Sequence, residues 1–326
     1  MREVSLEEAA AYANEALTGL RTRFGGGLAV AVSGSYTNEE AFLIKEYAEQ
    51  ALKTDMVFSF GLTDAESDGV STAAWDDLDY TELIVAAAPH LAENYGVAAM
   101  KIRRAVKKGA KLILLYAKEN PLDDIAALRI NEALPAMELV AEAARGGAIP
   151  ALPENGAAIA AADMITKAGG AVFILGAVPA RAARLIEDIA AARGGKPGSG
   201  VIRLLPEANS RGLINLGIKP RESFLRATAA GEIRGLFVFG EDIDEPITLD
   251  FLAVRDLRMT ETAKRANVVF PAPSFAEKSG SFTGADGKTR ELKPVAACPD
   301  SRDIIKQINA LYAAAGLPAP VKAPPA

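Results

Sequence analysis

The residues of this chain that could do chemistry are few, and most stand where an apolar run gives way to a polar loop. Ser33-Gly34-Ser35 follows the run Leu28–Val32 and precedes Thr37-Asn38-Glu39-Glu40, a capping box for the next helix. In an open α/β sheet that position, past a strand's carboxyl end and before a helix N-terminus, is where anionic ligands bind. The turn has one glycine, without the Gly-x-Gly-x-x-Gly spacing of a dinucleotide fingerprint or the Gly-Lys-Ser/Thr ending of a Walker loop. It therefore reads as a plain strand–helix turn, with a phosphate cradle as the alternative. Pro89-His90 closes a second apolar run, with Glu93 and Asn94 just beyond. A histidine there could move a proton, but no Ser or Cys elbow accompanies it, and it reads as a surface or partner-contacting residue. Gly240-Glu241-Asp242 ends a third run and opens an acidic stretch through Glu245. That stretch could hold ribose hydroxyls or a hard cation, but a solvated acidic loop is the preferred reading for it and for Asp76-Asp77-Leu78-Asp79 alike.

Composition narrows the chemistry further. The 326 residues include one cysteine, Cys298, and one histidine, so neither a cysteine-held cluster nor the usual soft-ligand zinc set can be built by this chain alone. A formal charge of −6 and an aromatic content of 6% supply neither the basic field nor the stacking surface that nucleic-acid binding needs. Apolar stretches such as Leu112–Ala117 fall short of the roughly 20 residues of a membrane helix. The acidic N-terminus does not read as a secretory signal. The expectation is a cytoplasmic protein, or one on the cytoplasmic face of a membrane-associated complex.

The elements that must position these residues follow one grammar. Residues 5–20 read as an amphipathic helix capped by Ser5 and broken at Gly25-Gly26-Gly27. Leu28–Val32 is short, apolar and without alternation, the pattern of a strand buried on both faces. Strands are likewise expected at Thr81–Ala88, Lys111–Tyr116, Ala171–Leu175, Val201–Leu205, Gly235–Phe239, Phe251–Arg255 and Asn267–Phe270. Helices follow Thr37 to about Leu52, and span Val97–Lys108 and Ala180–Arg193. The alternation predicts an α/β fold of two Rossmann-like lobes with mainly parallel sheets. The expected division is a helical segment 1–26, a lobe 27–150, a lobe 151–315 and a Pro-rich tail 316–326. A weak internal repeat between Gly27–Gly34 and Gly170–Gly176 fits two such lobes, with or without duplication.

Four segments, taken in order, resemble the molybdopterin oxidoreductase family. They are Thr37-Asn-Glu-Glu-Ala-Phe-Leu43; Ala92-Glu93-Asn94 with Lys101–Ile113; Glu207-Ala-Asn-Ser-Arg-Gly212 with Leu216-Gly217; and a fourth, longer set. That set comprises Arg255-Asp256, Thr260–Lys264, Ala266–Pro271, Ser274–Lys278 and Gly280–Thr283. The resemblance runs from about 27 to 300. It is nearest to the non-catalytic lobe of the large iron–sulphur subunit of NADH:quinone oxidoreductase, with formate dehydrogenase catalytic subunits next. It implies paired Rossmann-like domains that, in active members, clamp two pterin guanine dinucleotides around molybdenum or tungsten.

The departures from the family pattern shape the functional expectation. Active members carry a Cys, selenocysteine, Ser or Asp metal ligand between the first two segments; here Phe58–Gly69 holds no Cys and no convincing motif around a substitute. The usual Gly-Ser-Asn loop is Ala88-Pro89-His90, and the usual Asn near Gly284 is missing. The family's cysteine-cluster domain and its C-terminal barrel-like domain are absent from this sequence. The resemblance thus implies a catalytically degenerate scaffold subunit of a multisubunit redox complex, NADH-linked or formate/hydrogen-linked, with no cofactor of its own. Iron–sulphur clusters and flavin would then lie in partner chains. The alternatives are a molybdenum- or tungsten-pterin component completed by a partner, and an unrelated nucleotide-binding enzyme. If a dinucleotide is bound, the expected vestigial site is Ser33, Gly34, Ser35, Pro89, His90, Glu93, Asn94, Gly240, Glu241 and Asp242, with no catalytic or metal-ligating residue.

Overall fold

The computed structural model describes residues 2–63, 69–115, 121–131, 138, 140–142, 156–193 and 198–320. The chain opens with α1 (Leu6–Phe24), β1 (Leu28–Val32), α2 (Asn38–Tyr47) and β2 (Val57–Ser59). It then runs through β3 (Leu83–Ala87), α3 (Leu91–Asn94), α4 (Gly96–Lys107), β4 (Lys111–Leu115), β5 (Leu128–Ile130), α5 (Gly156–Lys167), β6 (Ala171–Leu175), α6 (Ala180–Ala192) and β7 (Gly200–Arg203). Next come α7 (Ser210–Asn215), β8 (Lys219–Pro220), α8 (Arg221–Ala229), β9 (Gly235–Phe239), β10 (Phe251–Asp256), α9 (Glu261–Arg265) and β11 (Val268–Pro271). A hairpin, β12 (Gly280–Thr283) with β13 (Thr289–Leu292), and α10 (Ile304–Ala314) finish it.

These elements form two compact units. Unit 1 is Met1–Thr63, Pro206–Gly284 and Lys288–Ala326; unit 2 is Asp64–Leu205 with Ala285–Gly287. Unit 1 holds a six-stranded sheet in the order β11-β10-β9-β1-β2-β8, and unit 2 a five-stranded sheet in the order β5-β4-β3-β6-β7. Every ladder in both is parallel. Numbered within its own unit, each sheet reads 3-2-1-4-5, with a sixth strand in unit 1, which is the doubly wound Rossmann order. The α/β class and the parallel sheets are as the sequence pattern implies.

The division at residue 150 is not what forms. The chain leaves unit 1 after β2, completes unit 2, and returns to add β8 to β11. The reason is pairing: β1 lies beside β9, Leu28 opposite Gly235 and Val32 opposite Phe239, so its partner stands some 200 residues along the chain. A parallel sheet needs only a crossover between neighbouring strands, and an entire unit can serve as one. The apparent repeat dissolves for the same reason, because β1 is the first strand of its unit whereas β6 is the fourth of the other. The three-residue β2 and β5, the two-residue β8 and the antiparallel hairpin were beyond the apolar pattern, being too short or too polar to show it.

The segment 1–26 is likewise no separate piece. Ser5 Oγ accepts the Glu8 N–H at 3.1 Å and starts α1, Glu7 and Glu8 favour its positive end, and Gly25 in the left-handed conformation ends it. Ala9, Ala13 and Leu17, four apart, form one buried face with Ala10 beside it. That face joins β1, β10, α2 and α10 in a single core with Val30, Ile44, Phe237 and Ile308. Asn14 Nδ2 also donates to the Ala314 carbonyl at 2.9 Å, tying the first helix to the last. The end of the tail, 321–326, lies outside the described residues.

Leu17 is fully buried. Leu17→Ala should destabilise unit 1 by about 2–5 kcal/mol, the range for truncating a buried leucine, and urea denaturation followed by circular dichroism measures it.

Candidate functional site

In a doubly wound sheet, ligands enter past the carboxyl ends of the strands where the strand order reverses. In unit 1 that point lies between β1 and β9, and the structure puts Ser33, Gly34, Ser35, Gly240, Glu241 and Asp242 there, with Ser59 at the end of β2 and Phe60 just past it. In unit 2 it lies between β3 and β6, where Ala88 meets Gly176, Pro89 and His90 follow in the loop after β3, and α3 carries Glu93 and Asn94.

The unit 1 crevice contains two carboxylates. Glu207, which the sequence marks only as part of a family segment, accepts Ser33 Oγ–H at 2.5 Å and the Gly34 N–H at 2.7 Å. A Cβ placed on Gly34 would lie 2.8 Å from Glu207 Cβ, and one on Gly61 would overlap Glu207 Oε2. Glu207 therefore fills the space that these two glycines leave. Ser35 lies in the same turn, its N–H donating to Ser33 Oγ at 3.1 Å. Glu241 is buried and accepts Ser59 Oγ–H and the Phe60 N–H, each at 3.0 Å. Burial foremost, and then the negative charge of Glu207, push its carboxyl up to about 7, against the hydrogen bonds from Phe60 and Ser59.

The remaining candidates in this unit serve its own architecture. Asp242 accepts the Thr262 N–H at 3.1 Å and the Thr262 hydroxyl, at the start of α9. Burial would raise its carboxyl, but these bonds outweigh burial and hold it below the usual range. Gly240 adopts φ +68°, and a Cβ there would lie 2.8 Å from Tyr36 Cε2. The close approach that this glycine permits is to Tyr36. Residues 58–62, part of the stretch where active relatives of the resembling family carry a metal ligand, are occupied in packing. Phe58 and Phe60 stand with ring centroids 5.6 and 4.7 Å from Phe224, and Leu62 is buried. Residues 64–68 of that stretch lie outside the described residues.

In unit 2 the His90 ring is half-exposed, its Nδ1 2.6 Å from Glu93 Oε2. His90 has φ +58°, a left-handed conformation that histidine adopts more readily than most residues. Its carbonyl accepts the N–H groups of Glu93 and Asn94 at 3.1 and 2.9 Å. A Cβ on Gly176 would lie 2.8 Å from Ala88 Cβ, so the backbones meet closely at this switch point. The thiol of Cys298, past β13, contacts the Pro299 carbonyl at 3.5 Å, and burial with the charges of Asp303 and Glu277 raises its pKa. Among the described residues, no three His, Cys, Asp or Glu side chains gather in a way that could hold a metal ion.

A pterin guanine dinucleotide, which the family resemblance implies in active members, would bring phosphate to such a crevice. The residues of unit 1 do not fit it: the turn's hydroxyl and amide already hold one carboxylate, and a second is buried beside it.

Comparison with known proteins widens the match beyond the four segments. The family model for molybdopterin oxidoreductases matches residues 2–314, taking in α1 and α10, which the resemblance over 27–300 left out. Formate dehydrogenase H of Escherichia coli is 23% identical over 396 residues, covering 90% of this chain and 55% of that protein. One NADH-quinone oxidoreductase subunit of Pseudomonas fluorescens is 30% identical over 203 residues, covering 56% of this chain and 22% of that one. A chain of the formyltransferase/hydrolase complex from Methylorubrum extorquens, solved with methylofuran, superposes with a TM-score of 0.69 at 13% identity over 96% of both chains. The chain spans about half the length of the first curated relatives it matches.

Gly240→Ala should cost about 1–3 kcal/mol of stability, from a left-handed backbone and a clash with Tyr36, measurable by denaturant titration. Glu241 yields a pH signature. Its folded carboxyl titrates near 7 and its unfolded one in the ordinary range, so the native state holds the extra proton in between. Stability contributed by this group is present at pH 4 and is lost as the pH rises through 7. Glu241→Gln should flatten that fall, seen as a smaller loss of denaturation free energy from pH 5 to pH 8 than in the wild type.

Proposed function

We propose that this chain, which belongs to the molybdopterin oxidoreductase family, is a non-catalytic subunit of a multisubunit redox complex. The observation that carries the reading is the pair of carboxylates in the unit 1 crevice. A site for a phosphate-bearing dinucleotide presents donors, whereas here Ser33 and Gly34 are engaged by Glu207 and a further acid, Glu241, stands beside it. Like charge opposes an incoming anion, and most strongly where water is scarce. The relatives include subunits of formate dehydrogenases and of an NADH-quinone oxidoreductase, which supports a place in such an assembly. The electron carriers, iron–sulphur clusters and flavin, would be held by partner chains on the cytoplasmic side. One thiol, in a loop past β13, supplies no cluster ligand set.

A second reading has one observation in its favour. The match to formate dehydrogenase H extends over 90% of this chain, so a molybdenum- or tungsten-pterin component completed by a partner stands as the competing assignment.

Metal analysis of the complex purified from its native source separates the two. The proposal expects iron and flavin, molybdenum and tungsten well below one per copy of this chain, and a colourless chain when it is purified alone. In the assembled complex, His90→Ala and Cys298→Ala should each leave turnover within about twofold, a barrier change of about 0.4 kcal/mol. Stoichiometric molybdenum or tungsten, or loss of turnover in His90→Ala at normal composition, would overturn it.

A further inference from the structure

The unit 1 crevice keeps the form of an anion site while its occupant is the chain itself. Two neutral donors converge on one point: Ser33 Oγ–H and the Gly34 N–H, 2.5 and 2.7 Å from the two oxygens of Glu207. Gly34 and Gly61 leave the room in which that carboxylate sits, since a Cβ on either would run into it. The location, beyond the strand where the order of the sheet reverses and ahead of α2, is the one at which open α/β sheets receive phosphate. A carboxylate presents two acceptor oxygens of one negative charge, as the edge of a phosphate does.

We infer that Glu207 is an internal stand-in for a phosphoanion, occupying a phosphate-binding position made by Ser33 and Gly34, so that the position is latent and opens when the carboxylate is removed. This rests on the non-catalytic reading above and deepens it by naming the residue that closes the crevice and the class of ligand it excludes. Truncating Glu207 leaves the Gly34 amide without its acceptor, leaves the Ser33 hydroxyl with Ser35 Oγ at 3.0 Å as its remaining side-chain partner, and opens a space lined by two glycines. Buried donors without a partner are costly, so an added anion restores what the truncation removes. Glu241, at the end of the neighbouring strand β9, is the opposing group once its carboxyl is ionised, above about pH 7, which is where the titrations are run.

The test is isothermal titration of inorganic pyrophosphate into the wild-type chain, Glu207→Ala and Glu207→Gln. The alanine variant should bind at least tenfold more tightly than the wild type. The glutamine variant, which keeps the space filled, should stay close to the wild type. Adding Glu241→Gln to Glu207→Ala should tighten binding further, by removing the repelling charge. ADP titrated in parallel separates the sources of the ligand: binding as tight as pyrophosphate or tighter assigns the position to a nucleotide's diphosphate, and weaker binding to a free phosphoanion. If Glu207→Ala does not fold in buffer alone, pyrophosphate should restore its circular dichroism, because a ligand that binds only the native state stabilises it. A folded Glu207→Ala that binds no tighter than wild type, or an unfolded one that pyrophosphate does not rescue, overturns the inference and leaves the non-catalytic reading standing. Tight binding to the wild type itself would overturn both.

Discussion

Unit 1 depends on one joint, the place where the returning chain is fastened to the turn after β1. Asn209 makes three bonds there. Its N–H donates to the Gly34 carbonyl at 2.9 Å, its Nδ2 to the Tyr36 carbonyl at 2.9 Å, and its Oδ1 accepts the Thr283 N–H at 2.9 Å. Glu207 adds its bonds to Ser33 and Gly34 from the same short stretch. Asn38 and Glu39, at the start of α2, hold β12 from the other side: Asn38 Nδ2 donates to Ser281 Oγ at 3.0 Å, and the Ser281 N–H donates to Glu39 at 2.8 Å. A sheet cut open between β2 and β8 by an entire second unit has few local contacts to register its halves. This polar joint supplies them, and because most of its groups are backbone or buried, each bond is one that the protein would leave unmade at a cost.

A second network backs the joint from beneath. Lys278 pairs with Glu40 at 3.1 Å, both side chains buried, and its ammonium lies 4.1 Å above the Tyr36 ring. Arg255 donates to Tyr36 Oη at 2.8 Å, to Gln307 Oε1 at 2.6 Å and to the Arg302 carbonyl at 2.9 Å. Burial, against the pull of Arg255, lifts the Tyr36 phenol to about 12, so it stays neutral and serves as an acceptor. Charges taken out of water are tolerable when every one is paired and bonded, and breaking such a set from one side strands the other. Thr37 to Glu40, Glu207 to Gly212 and Arg255 to Thr283, which carry much of the family resemblance, are therefore also the residues that assemble unit 1.

What the sequence displayed and what it concealed follow from the range of the interactions. β9, β1 and the capping box after it were legible to the residue, because burial on both faces and a local cap are written in consecutive residues. The turn at Ser33 and the loop at Gly240 could be picked out as strand ends. That they share one crevice could not, since it depends on β1 pairing with β9. The boundary at 150 failed on the same point, and so did the view of α1 as peripheral: its apolar face was plain, but the surface it covers comes from β10 and α10. Glu207 showed only as the first residue of a family segment, with nothing local to mark its role. A single acid two residues before an Asn becomes a ligand only when the chain returns across the sheet, and that return is set by tertiary pairing.

The interruption of unit 1 also sets an order of events during synthesis. Translation at about 5–20 residues per second delivers all of unit 2 before β9 emerges, so α1, β1, α2 and β2 wait on the order of 10–40 s for the strands that complete their sheet. Through that interval the apolar edge of β1 has no partner on one side, while unit 2, contiguous but for three residues, has everything it needs to fold. The fragment that carries β1 is thus the part of the nascent chain that keeps an apolar strand edge unpaired longest.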